Sequence, residues 1–441
     1  MKKVAFYTLG CKVNQYETEA MLEMFKKEGY TQVDSEDFAD VYVINTCTVT
    51  HMSDRKSRQY IRRMKKKNPN AIIAVVGCYS QVSPEEILDI EEVNLVMGTN
   101  ERRQIVEEIK KIDATNKVST VDDIMKVRAF EEIEISQTNG RTRAFIKIQD
   151  GCDRFCTYCI IPYARGGKVR SRDLESIVSE VEKLVLNGYK EVVLTGIHVA
   201  SYGKDVRDEN INLLTVIKAI NEVNGIERIR LSSVEPVLFT DEFVNEVSKM
   251  EKVCPHYHLS LQSGCDETLK RMNRRYTTEQ FREIVQRIRK TYSDANLTTD
   301  IIVGFPGETD EEFSKTYEFL SEIKFYKMHI FKYSQRKGTK AAVMPNQVPG
   351  DIKEKRSKKL IELSDKNELE YNKLYVGKNV EVLWEEEKNG ILKGHTQNYI
   401  EVIAESAQIK NNKNVENTNL ENKIKEALCV EAYKNEIKVR L

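Results

Sequence analysis

The chain carries no excess charge: 69 Lys and Arg balance 69 Asp and Glu. Overall electrostatics therefore excludes no polyanionic partner, and only local clusters bear on one. It also lacks any apolar run near the roughly 20 residues that span a bilayer, so no membrane helix is expected. The start, Met1-Lys2-Lys3 and then 4–9, is short for a signal segment and holds Tyr7 and Thr8, so it reads as a first core strand. Nine cysteines are present, yet nowhere do four stand together. In a chain expected in the cytoplasm, cysteines argue for metal or catalysis before disulfides. A length of 441 residues implies two or three domains.

Three cysteines do cluster. Cys152, Cys156 and Cys159 are spaced C-x3-C-x2-C, straight after the apolar run 144–148. Thiolates bind zinc or iron–sulfur clusters, and a closed site of either kind takes four. With three, one metal position stays open for a reactant. A rival reading places i, i+4 and i+7 on one apolar helix face. Gly151 and Pro162 argue against it by bracketing a loop, and Asp153 and Arg154 are poor core neighbours.

Residues 1–115 alternate short apolar runs with helical patterns. Strands are expected at 4–9, 41–44 and 71–76, and helices at 15–28, 53–67 and 101–111. This predicts a parallel-sheet α/β domain. Each strand is followed by a cysteine: Cys11, Cys47 and Cys78. Carboxyl ends of parallel strands share one edge, where such folds place their ligands, so these three should converge as a second metal site. The basic run 55–67, with Tyr60 inside it, reads equally as a solvated helix face or a phosphate-binding surface. Residues 116–140 turn acidic and aperiodic, as a linker would.

From 141 to 350 six β/α units follow, with strands expected at 143–149, 191–195, 228–232, 256–261, 297–303 and 328–333. Six units without the last two pairs of a full barrel predict an open (β/α)6 barrel, with the cysteine loop at the carboxyl end of its first strand. Other strand ends carry Gly196, Glu235, Gln262 and the 303–308 turn. A second basic run, 270–276, is a candidate for contact with an RNA backbone. Residues 351–375 read as a charged helical connector. Residues 376–441 hold five short β-like runs, which suggests a small OB-like barrel of the kind that often binds oligonucleotides. Within them, 408–424 is rich in Asn and Lys and reads as a mobile loop. Cys254, Cys265 and Cys429 read as ordinary buried residues.

The three-cysteine loop resembles that of the radical S-adenosylmethionine (SAM) superfamily, and its tail, Ile161-Pro162-Tyr163-Ala164-Arg165-Gly166, resembles that of the methylthiotransferases. Cys11-Lys12-Val13-Asn14-Gln15-Tyr16-Glu17 is similar to the group acting on threonylcarbamoyladenosine in tRNA; sister groups typically show Gln-Met-Asn or Pro-Lys-Asn after that cysteine. The similarity covers almost the whole chain, and residues 376–441 resemble a TRAM domain. The resemblance implies that Cys152, Cys156 and Cys159 hold a 4Fe–4S cluster whose fourth iron is chelated by SAM. It implies that Cys11, Cys47 and Cys78 hold a second 4Fe–4S cluster, which carries the sulfur to be delivered, and that Gly196, Glu235 and Gln262 contact SAM. The implied reaction is methylthiolation of C2 of N6-threonylcarbamoyladenosine at position 37 of tRNA. Its implied partners are the anticodon stem-loop and an electron donor such as flavodoxin or ferredoxin, with no membrane. Rival readings are methylthiolation of isopentenyladenosine in tRNA or of a ribosomal-protein aspartate, and a non-enzymatic iron–sulfur electron carrier. A threonylcarbamoyl carboxylate asks for basic side chains, and Arg165 and Arg170 are candidates for it.

Overall fold

The computed structural model describes residues 1–49, 51–137, 142–406 and 420–441. At the amino end, β1 (Lys3–Thr8), β2 (Thr31–Val33), β3 (Val41–Thr46), β4 (Ile72–Gly77), β5 (Leu95–Val96) and β6 (Val118–Ser119) form one sheet in the order β2-β1-β3-β4-β5-β6. All its pairings are parallel. Side chains of β3 and β4 alternate between two cores: Tyr42, Ile44, Ile73 and Val75 face one, and Val41, Val43, Ala74 and Val76 the other. That explains why both strands read as unbroken apolar runs. The helices α1 (Lys12–Lys27), α2 (His51–Lys67) and α3 (Cys78–Val82) each begin at or soon after a strand's carboxyl end.

The 116–140 stretch is more than a linker. Its residues 118–119 are the edge strand β6, and Ile133 and Ile135 are buried in the core of the next layer. The Ile135 amide donates to Glu180 at 2.8 Å. The polar composition hid two well-placed isoleucines; residues 138–140 lie outside the described residues.

The middle of the chain holds β7 (Arg143–Asp150), β8 (Arg170–Ser171), β9 (Glu191–Gly196), β10 (Arg228–Leu231), β11 (His256–Gln262), β12 (Asn296–Val303) and β13 (Lys327–Lys332). One sheet runs β10-β9-β7-β8 and another β11-β12-β13, and isolated parallel bridges at Ile229–Val253 and Val234–Leu259 join them. Apart from short antiparallel β8, six parallel strands curve into an open barrel with helices outside.

A 24-residue helix, Gly350–Lys373, leads to the last unit. There β14 (Asn379–Lys388), β15 (Ile391–Thr396), β16 (Glu401–Glu405), β17 (Ile424–Ala432) and β18 (Ile437–Arg440) close into a five-stranded barrel around fully buried Trp384. Of the 408–424 stretch, 408–419 lies outside the described residues, while Leu420 is buried and Ile424 opens β17.

This barrel is docked onto the other. Its turn between β15 and β16 inserts Tyr399 between the rings of His256 and His395, each centroid 4.7 Å away. Arg143 and Arg230 lie over the same tyrosine at 4.9 and 4.6 Å. Arg228 donates to the carbonyls of His395 and Glu381. Since Arg143, Arg228 and His256 each open a strand, the turn caps the amino end of the open barrel. Among the described residues no helix is long and apolar enough to cross a membrane.

Candidate active site at the carboxyl strand ends

β7 delivers the three-cysteine loop to the carboxyl edge of the open barrel. Gly151, at φ +75, turns the chain so tightly that a Cβ there would sit 1.9 Å from the Lys168 carbonyl. The Cys152 amide donates to the Gly166 carbonyl, and the Cys159 amide to that of Cys156. Burial, with charge on Cys156 adding to it, pushes Cys152 up to about 11 and Cys159 to about 12. Arg274 points a guanidinium N–H at Cys156 Sγ, 3.4 Å away. Arg154, inside the loop, pairs with Glu235 at 2.6 Å.

The second set also assembles. Parallel register brings Thr8 beside Asn45 and Thr46 beside Gly77, so the residues just past β1, β3 and β4 become neighbours. Those residues include Cys11, Cys47 and Cys78. Burial pushes Cys78 up to about 12 and raises Cys47, and charge on Cys11 raises both. Asn14 laces the edge together, donating to the Leu9 and Thr46 carbonyls at 3.0 and 2.9 Å. Arg165 Nε donates to Cys78 Sγ at 3.2 Å. Arg336, beyond β13, reaches Thr48 and Asp54 just past Cys47.

Both sets suit a thiolate-held cluster: three thiols, no fourth cysteine beside them, and one cationic donor on a sulfur in each. Among the described residues no three Cys, His, Asp or Glu form a single-ion site. A 4Fe–4S cube gives each thiolate its own iron at a separate corner and so asks for wider spacing than one ion does.

A cavity of about 220 Å³ lies beside the cysteine loop. Cys159 and Gln262 line it with Asp300 and Phe331, and Val49, two residues past Cys47, closes it from the amino-terminal unit. Gln262 holds φ +74 where the β11–β12 register shifts, a strained conformation of the kind that gathers at ligand sites. Gly196 ends β9, and a Cβ there would meet the Gln149 carbonyl at 2.9 Å. Glu235 is already engaged, by Arg154 and by His198 Nε2 at 3.1 Å. Burial opposes its charge, but His198 and Arg154 outweigh burial and hold the carboxyl at about 2.

Two basic groups stand elsewhere than expected. Arg165 and Arg170 are buried and committed, Arg165 to Glu17 and Cys78, Arg170 to Asp150 and the Arg165 carbonyl, so neither faces the cavity. In the 270–276 run, Arg271 pairs with Glu312 and Arg274 with Cys156, while Met272 and Tyr276 are buried; Lys270, Asn273 and Arg275 stay exposed. Two of its arginines are thus committed within the fold, and nothing in its composition separates a thiol donor from a phosphate donor. By contrast, Arg55, Lys56, Arg62, Lys66 and Lys67 are all exposed on α2. Cys254, Cys265 and Cys429 are buried.

An open barrel with a three-thiol loop at its first strand's carboxyl end defines a radical SAM enzyme. Residues 146–320 match the radical SAM superfamily, and residues 3–98 match the uncharacterized protein family UPF0004. The fold is shared with the radical S-adenosylmethionine methyltransferase TsrM of Kitasatospora setae at a TM-score of 0.55, 15% identity, and 78% and 77% coverage of this and that chain. The chain is 46% identical to the threonylcarbamoyladenosine tRNA methylthiotransferase MtaB of Bacillus subtilis, over 91% of this chain and 90% of that one. For the MtaB of Aquifex aeolicus the figures are 43%, 91% and 97%. A tRNA-2-methylthio-N(6)-dimethylallyladenosine synthase of Clostridium novyi is 38% identical, over 87% and 86%. The chain belongs to the radical SAM methylthiotransferase family, in its threonylcarbamoyladenosine tRNA group. Membership implies SAM and a 4Fe–4S cluster as cofactors.

Proposed function

We propose that the chain methylthiolates C2 of N6-threonylcarbamoyladenosine at position 37 of tRNA, in the cytoplasm, using two 4Fe–4S clusters and SAM. The observation that carries this is one cavity lined both by Cys159 of the loop set and by Val49, two residues past Cys47 of the other set. Cys152, Cys156 and Cys159 would hold the SAM-binding cluster, and Cys11, Cys47 and Cys78 the sulfur-carrying one. When bound, the first supplies the electron that cleaves SAM to a carbon radical, and the second supplies sulfur. The chain's own residues shape the rest. Gln262 offers its side chain to SAM from the strained turn, Gly196 lets backbone approach closely, and Glu235 orients Arg154 and His198. An electron donor such as flavodoxin or ferredoxin supplies reducing equivalents. The exposed cations of α2 offer a phosphate-binding face for the anticodon stem-loop.

Lys12 supports the threonylcarbamoyl substrate over the isopentenyl one. It is the first residue of α1, and its ammonium lies 6.0 Å from the centre of the Phe145 ring on β7. Burial, then Arg230 and Arg143, lower its ammonium to about 8, against Glu191 and Cys11, which raise it. A substrate carboxylate would offset this crowding of positive charge, whereas an isopentenyl group would leave it unmatched. Purified enzyme with SAM, reductant and sulfide should methylthiolate tRNA bearing threonylcarbamoyladenosine, and Lys12→Met should narrow its preference over isopentenylated tRNA by at least tenfold. Equal activity of the parent on isopentenylated tRNA would overturn the substrate.

A further inference from the structure

Arg165 sits on the short helix Ile161–Arg165, six positions beyond Cys159, yet its side chain is enclosed by the amino-terminal unit. It is fully buried. Its Nε donates to Cys78 Sγ at 3.2 Å, and its terminal nitrogens reach Asn14 Oδ1 and Glu17 Oε2, both at 2.9 Å. The helix is pinned beside it by Thr99 Oγ1, which donates to the Ala164 carbonyl at 2.6 Å. Around Arg165 lies a buried ion network: Arg102, Lys147 and Arg170 with Arg165 on one side, Glu17, Asp150 and Glu131 on the other. Four cations face three carboxylates, so one positive charge is left over. Among the described residues no other charged donor touches a sulfur of this set. Cys11 Sγ meets only the neutral Asn14 side chain, at 3.5 Å.

We propose that Arg165 is a positioning residue for the amino-terminal site: it holds the Cys78 thiolate and raises the reduction potential of the cluster that Cys11, Cys47 and Cys78 carry. The inference rests on those three cysteines being cluster ligands. A charge-assisted N–H···S bond stabilises a sulfur more as negative charge accumulates on it, and hydrogen bonds to cluster sulfurs are among the levers that set such potentials. The surplus positive charge in a dry network acts in the same direction. The quantity concerned is a one-electron couple, and no bond is made or broken. One side chain thereby ties the site on the sheet edge to the segment that carries the other cysteine loop.

The test uses the full chain with Cys152→Ala, Cys156→Ala and Cys159→Ala, so that only the amino-terminal cluster remains. It is loaded anaerobically and titrated by electron paramagnetic resonance. With arginine labelled in 15N, pulsed measurements on the reduced cluster should show a nitrogen coupling, and this needs no change at Arg165. Arg165→Gln and Arg165→Lys should lose that coupling. The midpoint should move to lower potential, further in Gln than in Lys, and resistance to an iron chelator should fall 10- to 100-fold, as for other residues that orient metal ligands. A loaded parent without arginine coupling, or a loaded Arg165→Gln with an unchanged midpoint, would overturn the role of Arg165 alone. A chain that takes up no iron would overturn the cluster assignment, and the inference with it.

Discussion

The two cysteine sets would meet one ligand requirement by opposite routes. In the loop site, three thiols come from eight consecutive residues, and local turns at Gly151 and Phe155 set their spacing. In the other, three thiols come from residues scattered over 68 positions and meet only because β1, β3 and β4 pair in register. The first site depends on a short stretch of backbone, and the second on the whole sheet. Both then recruit an arginine from a distant segment, Arg274 to Cys156 and Arg165 to Cys78. A thiolate held by a rigid donor loses less freedom and carries its charge at lower cost, whichever way it arrived.

The sharpest break of this comparison is to remove one set at a time. On the ligand count, the parent should load about eight irons per chain. Alanine at Cys152, Cys156 and Cys159 should halve that and abolish SAM cleavage. Alanine at Cys11, Cys47 and Cys78 should also halve it, while SAM is still cleaved reductively. Full iron in the second variant would make those cysteines plain core residues.

A gentler break leaves every thiol in place. Gly77, at φ +96, has the Thr46 carbonyl 2.7 Å from where a Cβ would stand, next to Cys78. Gly77→Ala should therefore cost the sheet-edge site its iron and spare SAM cleavage. Gly151→Ala should do the reverse, because its Cβ would strike the Lys168 carbonyl. The strain of a left-handed alanine and the clash together come to roughly 2–4 kcal/mol at either position. Iron analysis beside a SAM-cleavage assay reads both variants; a matching loss in both would show that the sites are not independent.

The third change acts at the far end of the open barrel. Tyr399→Ala empties the slot between His256 and His395 and leaves Arg143 and Arg230 without their ring. A loss of about 2–3 kcal/mol is expected, read as a lower midpoint in thermal unfolding. Cutting the chain near Gly377 should destabilise the open barrel more, since it uncovers the whole cationic rim. The last barrel is thus built into the fold, whatever it contributes to RNA binding.

The smallest effect concerns the anchor of the loop. Glu235 is held at about 2, below the usual carboxylate range, so its ion pairs contribute stability above about pH 4.5, and that contribution is lost as pH falls toward 2. Glu235→Gln should be less stable near neutral pH by at most about 3 kcal/mol, and the difference should vanish by about pH 2. Acid-unfolding curves that stay parallel across that range would show that Glu235 is uncharged in the fold.

The sequence by itself determined the elements and both cysteine sets. Apolar period and glycine placement located the six strands of the middle unit within one or two residues, because a strand with one face on the core alternates, as Ala144, Ile146 and Ile148 or Tyr257, Leu259 and Leu261 do. C-x3-C-x2-C marked the loop as a candidate site, since its spacing is local. Cys11, Cys47 and Cys78 could be grouped because parallel strands share a carboxyl edge, and the register of β1, β3 and β4 does bring those strand ends together. Only the tertiary structure decided what the charges do. Arg165, Arg170 and Arg274 look like nucleic-acid or carboxylate ligands in a linear reading, yet Arg165 and Arg170 are buried on Glu17 and Asp150, and half-buried Arg274 points at cysteine sulfur. Ile133 and Ile135 sat in a polar stretch and proved to be core, and Tyr399 gave no sign of crossing between barrels. The difference is one of range. Periodicity and turn chemistry act between near neighbours, whereas the partner of a buried charge is chosen by whatever distant segment folds against it, and burial makes that choice costly to undo.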